Sequence, residues 1–203
     1  MTTIQANVRP EDLMQVPKGA ERIPDPGILV IFGASGDLTK RKLLPALFHL
    51  RQANLLPKQF AIVGVARRPL GDEFAKDMRA GILEFGGVDA SDPKLDDFVQ
   101  HISYFPLNFD DPADYAGLKT ELDRIDKQRD IGGKRIFYLA TAPEFFAGIV
   151  ENLGAQNMAQ PEQDVASVVI EKPFGHDLDS ARELNHQVNA VFQIGRASCR
   201  ERV

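Results

Sequence analysis

Three short stretches of this chain combine residue types that can hold a phosphorylated ligand and work on it. The first is Gly33-Ala34-Ser35-Gly36-Asp37-Leu38. Two glycines let a backbone turn sharply and bring its N–H groups against phosphate oxygens with no β-carbon in the way. The spacing is G-x-x-G and not the full G-x-G-x-x-G, so the letters alone say little. Their location says more, because they follow the apolar run Ile28-Leu29-Val30-Ile31-Phe32 and open a helical segment. A plain strand-to-helix turn with Asp37 as N-cap is the simpler alternative.

The second stretch is Val65-Ala66-Arg67-Arg68. A dinucleotide fold that takes NAD usually places an acid at the end of its second strand, where it accepts hydrogen bonds from the adenosine ribose. Here no acid stands there. An arginine guanidinium grips a 2′-phosphate with two charge-assisted hydrogen bonds, whereas an acid would repel it. The pattern therefore points to NADP, with Arg67 weighted above Arg68 and the Ser35 hydroxyl within reach of the same phosphate. Paired arginines that only solvate a strand end are the alternative. The third stretch, Glu171-Lys172-Pro173-Phe174-Gly175, ends the apolar run Val168-Val169-Ile170. A lysine directly after a buried strand faces the crevice at the carboxyl edge of a sheet, where sugar and nicotinamide would meet. Pro173 stiffens that turn, with a cis bond as one way of doing so. A surface turn is the competing reading.

These stretches need a frame. Residues 28–32 and 60–66 read as buried strands and 103–107, 135–140 and 166–171 as further strands, the first of these with a weak pattern, and the segments between them carry helical periodicity. Pro45 lies inside the helical segment 37–55 and is expected to kink it or mark its first turns. The alternation predicts an α/β fold with a doubly wound, Rossmann-like, mostly parallel sheet. Residues 1–27, with four prolines and no periodicity, read as a flexible lead-in, and 28–193 as one domain.

The 203 residues carry 24 Lys and Arg against 29 Asp and Glu, for a net charge of −5. That balance is a poor match to nucleic acid, whose affinity comes largely from cationic contacts to phosphates. No apolar run approaches the roughly 18 residues of a membrane span, and the first residues lack a secretory pattern. No cluster has metal-ligand spacing. The single cysteine, Cys199, excludes an internal disulfide and suits a cytoplasmic setting.

Taken together, FGASGDLTKRKLLPAL, IVGVARR, IFYLATAP and VVIEKPFGHDL resemble the N-terminal part of the glucose-6-phosphate dehydrogenase family, collinearly from about Ile28 to Gln193. The resemblance implies oxidation of β-D-glucose 6-phosphate to 6-phosphoglucono-lactone with reduction of NADP, the entry to the pentose phosphate pathway. It implies that Gly33, Ala34, Ser35, Gly36, Asp37 and Leu38 bind the cofactor pyrophosphate. Ser35 and Arg67 would stand near the 2′-phosphate, with Arg68 beside them, and Tyr138 beside the cofactor. Lys172 would touch both substrate and nicotinamide, in a homo-oligomeric enzyme.

Family members continue into an Arg-Ile-Asp-His-Tyr-Leu-Gly-Lys word and an α+β domain with the His–Asp pair that takes the hydroxyl proton. Neither is present in this sequence, so the catalytic base is expected beyond the chain end and binding without turnover is the expected behaviour. His49 and His186 read as helix-face residues and His176 as a solvated loop position. Residues 194–203 (IGRASCRERV) leave the family pattern abruptly. They translate ATC GGA AGA GCG TCG TGT AGG GAA AGA GTG, the text of a sequencing adapter, and are expected not to be native. In that case Cys199 says nothing about compartment. Two rival enzyme classes share parts of the pattern: sugar oxidoreductases with a strand-terminal Glu-Lys-Pro, and short-chain dehydrogenases, through Tyr115 and Lys119 in a Y-x-x-x-K spacing. The latter pair reads as helix surface. A non-catalytic NADP-binding module is the reading from outside the enzymes.

Overall fold

The computed structural model describes residues 23–159, 166–175, 177–192 and 197–200. Six strands form one sheet: β1 (Gly27–Phe32), β2 (Phe60–Ala66), β3 (Ile102–Pro106), β4 (Arg135–Leu139), β5 (Ala166–Glu171) and β6 (Ala197–Arg200). Their order is β3-β2-β1-β4-β5-β6, and each neighbouring pair is parallel. The order reverses between β1 and β4. That is the switch point where doubly wound sheets open a crevice beyond the strand carboxyl ends.

Parallel strands need crossovers, and the helices that supply them bury both faces of the sheet. Helices α1 (Leu44–Gln52), α2 (Glu73–Gly86) and α3 (Pro93–Val99) cover one face. Helices α4 (Pro112–Arg129), α5 (Phe146–Ala155) and α6 (Leu178–Val191) cover the other. Alternate residues of each strand divide between the two layers, as the two-residue period of a strand requires. Ile28, Val30, Phe32, Val63, Phe137 and Val168 join α4 to α6, whereas Ile31, Ile62 and Tyr138 join α1 to α3. Every residue of β2 is buried, and so its sequence is a continuous apolar run.

The segment expected as helical from 37 to 55 is helical from 37 to 52, and its regularity is interrupted just before Pro45. A π-helical turn, Thr39–Leu43, precedes α1, and the Leu44 N–H reaches back five residues to the Thr39 carbonyl. Pro45, in the first turn of α1, has no N–H to offer Arg41, and the wider turn removes that demand. The first strand begins at Gly27, one residue into the expected lead-in. Asp25 ties that approach to the start of β4 through an ion pair of 2.8 Å with Lys134. Residues 1–22 lie outside the described residues. The sixth strand was not foreseen: Ala197–Arg200, within the segment read as foreign, pairs alongside Val168–Glu171.

On the α1 side the helical cover stops short of β4. An apolar groove of about 450 Å³ opens there, walled by Leu29, Leu47, Leu50, Ile136 and Tyr138.

Candidate functional site

The glycine loop is strapped to both neighbouring strands. The N–H groups of Gly33 and Ala34 donate to the Val65 carbonyl at 2.8 and 3.2 Å, and the Ala140 N–H donates to the Phe32 carbonyl at 2.9 Å. Gly36 closes the turn by donating to the Gly33 carbonyl at 3.0 Å. Gly33 has φ +81°, and a β-carbon there would lie 2.4 Å from the Ala140 carbonyl oxygen. Only glycine fits that position. Ala34 is fully buried beneath the loop, Leu38 is half-buried, and Gly36 and Asp37 are exposed. Asp37 lies 3.9 Å from the Arg41 guanidinium.

The loop forms one wall of a crevice of about 580 Å³ at the carboxyl ends of the strands. Gly33, Ser35 and Gly36 line it together with Arg67 and Arg68, which follow Ala66 at the end of β2, and with Phe109, Ala140 and Thr141. Among the described residues no acid belongs to this lining. The Tyr104 hydroxyl donates to the carbonyls of Ala66, at 3.0 Å, and Arg68, which pins the turn that carries both arginines. Burial pushes the Tyr104 phenol above its ordinary value, so it stays a donor. The Arg67 guanidinium lies over the Phe145 ring, 5.3 Å from its centroid.

A second grouping forms at the ends of β4 and β5. The Tyr138 hydroxyl donates to the Glu171 carboxylate, and both side chains are buried. Lys172 follows, exposed, and its peptide bond to Pro173 is cis, as the stiff turn allowed. Tyr138 walls the apolar groove on the α1 side, and neither Tyr138 nor Lys172 lines the glycine crevice. The fold thus brings Gly33, Ser35, Gly36, Arg67 and Arg68 to one crevice, with Tyr138, Glu171 and Lys172 grouped two strands along the same sheet.

The family model described as "Glucose-6-phosphate dehydrogenase, NAD binding domain" matches residues 30–196. This chain belongs to the glucose-6-phosphate dehydrogenase family. Glucose-6-phosphate 1-dehydrogenase of Chlamydia pneumoniae is 43% identical over 169 residues, which are 81% of this chain and 33% of the relative. Glucose-6-phosphate 1-dehydrogenase 2 of Mycobacterium bovis is 41% identical over 177 residues, 86% of this chain and 34% of the relative. A solved glucose-6-phosphate dehydrogenase in complex with its substrate glucose-6-phosphate superposes with a TM-score of 0.74 at 30% identity, over 90% of this chain and 37% of that one. The chain spans about a third of the length of the curated relatives it matches.

Within a glucose-6-phosphate dehydrogenase frame the short-chain dehydrogenase spacing has another meaning. Tyr115 is not on the helix surface but fully buried, and its hydroxyl donates to the Phe109 carbonyl at 3.0 Å. Lys119 instead donates to the Gln156 carbonyl at 3.0 Å. The pair joins α4 to its surroundings and lines neither the glycine crevice nor the apolar groove. His49 and His186 are exposed on α1 and α6, as expected, while His176 lies outside the described residues. The crevice residues that sequence reading missed include Phe109, Ala140 and Thr141, with Phe145 beneath Arg67. Thr141 and Phe145 follow the FYLA strand and were open to inspection. Phe109 lies beyond β3, and no local pattern marks it.

Proposed function

We propose that this chain is the NADP-binding portion of a glucose-6-phosphate 1-dehydrogenase, which oxidises D-glucose 6-phosphate to 6-phospho-D-glucono-1,5-lactone in the pentose phosphate pathway. The observation that carries the cofactor choice is the end of β2. Among the described residues, two arginines and no acid line a crevice that the glycine loop also lines. The residues present fit a dinucleotide phosphate, because a glycine loop at the end of β1 and two guanidinium groups with in-plane donors for an anion line one crevice.

Bound NADP would supply the hydride acceptor. In this reading the loop from Gly33 to Leu38 lies against pyrophosphate, with the N–H groups of Gly33, Ala34 and Gly36 bracing the loop within the fold, and Ser35, Arg67 and Arg68 hold the 2′-phosphate. The Tyr138–Glu171 hydrogen bond fixes the floor beside Lys172, whose ammonium orients the sugar and the nicotinamide end together. We assign acceptance of the hydroxyl proton to another part of the protein, since among the described residues the glycine crevice is lined by no carboxylate or imidazole and the Glu171 carboxylate is engaged by Tyr138. Among the described residues no helix is long and apolar enough to cross a membrane, and we place the whole enzyme in the cytoplasm as a homo-oligomer. We retain residues 194–203 as adapter read-through. Sequencing the gene from an independent library tests this, and recovery of the same codons before a stop would overturn it.

The direct test is binding against turnover. NADP at a hundred times its Kd should stabilise the chain by about 2.7 kcal/mol in urea unfolding. NAD at the same concentration should do less, and glucose 6-phosphate with NADP should yield no NADPH. Turnover by this chain alone would overturn the division of labour, and the absence of NADP stabilisation would overturn the cofactor site.

A further inference from the structure

We infer that Phe145 is a positioning residue that tunes selectivity for the phosphorylated dinucleotide, by holding the Arg67 guanidinium over its ring at the crevice. The inference rests on the reading of Arg67 as the 2′-phosphate contact. Arg67 leaves the end of β2 exposed, and a free arginine there has many rotamers to lose when it meets an anion. The ring of Phe145, 5.3 Å below the guanidinium, removes part of that freedom in advance.

Phe145 is itself held. It ends a 3-10 turn, Pro143–Phe145, that follows β4. Its ring meets Phe109 edge-on at 5.4 Å and 67°, and Phe109 tilts against Phe32 at 5.9 Å. Phe32 is fully buried in β1 and Phe109 nearly so. A row of three rings therefore runs from the core to the crevice wall and carries the arginine at its end. A guanidinium held over a ring by its charge keeps N–H donors available to phosphate. NAD has no 2′-phosphate and gains nothing from this arrangement.

The test is calorimetric binding of NADP and of NAD to the full 203-residue chain and to Phe145→Leu, Phe145→Tyr, Arg67→Ala and the Arg67→Ala/Phe145→Leu double variant. Leucine keeps the apolar contact with Phe109 but has no π face, whereas tyrosine retains one. Phe145→Leu is expected to lower the ratio of the NAD Kd to the NADP Kd by about 2- to 5-fold, through weaker NADP binding alone. Phe145→Tyr should keep the parent ratio, and Phe145→Leu should have no effect on the ratio once Arg67 is alanine. The inference is overturned if Phe145→Leu leaves the ratio unchanged while Arg67→Ala lowers it. Equal weakening of both nucleotides, or leucine and tyrosine variants that behave alike, overturns it too. An Arg67→Ala variant with the parent ratio refutes the underlying reading of Arg67.

Discussion

Gly33 and the carbonyl of Ala140 approach so closely that a β-carbon on Gly33 would stand 2.4 Å from the oxygen. The contact joins the end of β1 to the end of β4 at the point where the strand order reverses. It holds the loop in a left-handed conformation that other residues adopt at a cost.

Gly33→Ala should therefore destabilise the fold by about 2–4 kcal/mol, from left-handed strain and overlap combined. Urea unfolding measures this. A loss below about 0.5 kcal/mol, the ordinary range for surface changes, would show that the close approach is absent.

Gly64, in the middle of β2, makes room for a ring. A β-carbon there would lie 2.3 Å from Cζ of Phe74, a buried residue of α2. Gly64→Ala is expected to cost about 1–3 kcal/mol by overpacking. Adding Phe74→Leu should cost less in that background than in the parent, since the shorter side chain vacates the contested space. Simple additivity in a double-mutant cycle would contradict the contact.

The two arginines are not equivalent. Arg67→Ala should weaken NADP by about 10- to 150-fold, the range of one charge-assisted hydrogen-bond pair, and NAD by much less. Arg68→Ala should have a smaller effect on NADP. Equal losses for both nucleotides in Arg67→Ala would remove Arg67 from the 2′-phosphate site.

His101 gives stability a pH dependence. Its ring stacks on Phe60, with centroids 4.3 Å apart, and its Nδ1 donates to the Asp97 carbonyl at 2.8 Å. Burial holds its pKa below the ordinary 6.5, the charges of Arg129 and Arg51 act in the same direction, and the Asp97 contacts oppose them. Between the lowered native value and 6.5 the unfolded chain binds more protons than the folded one. Stability should thus be complete above about pH 6.5 and decline as the pH falls through the native value. His101→Phe keeps a ring over Phe60 and should show a shallower decline in urea midpoints from about pH 6.5 to 5. An NMR titration placing His101 at or above 6.5 would count against this account.

Much of the fold was legible because both sheet faces are covered. Strands buried on two sides must be apolar throughout, as β2 is, while β1, β4 and β5 stand out through their apolar runs although Ile136 of β4 is exposed in the groove on the α1 side. The π-helical turn before α1 was not legible, because Pro45 signals an interruption without saying how the backbone absorbs it. The strand at Ala197–Arg200 was missed for a related reason: its pairing with β5 depends on a free sheet edge that no local pattern reveals.

The sequence by itself determined the family, the alternation of strands and helices, and the residues able to bind phosphate. Those properties follow from local composition and order along the chain. Only the tertiary structure decided which of these residues share a crevice. It gathered Ser35, Arg67 and Arg68 around the glycine loop, and it placed Tyr138 on the α1 face against Glu171. It also set Phe145 beneath Arg67, since the ends of β2 and β4 come to flank the same loop only when β1 lies between them.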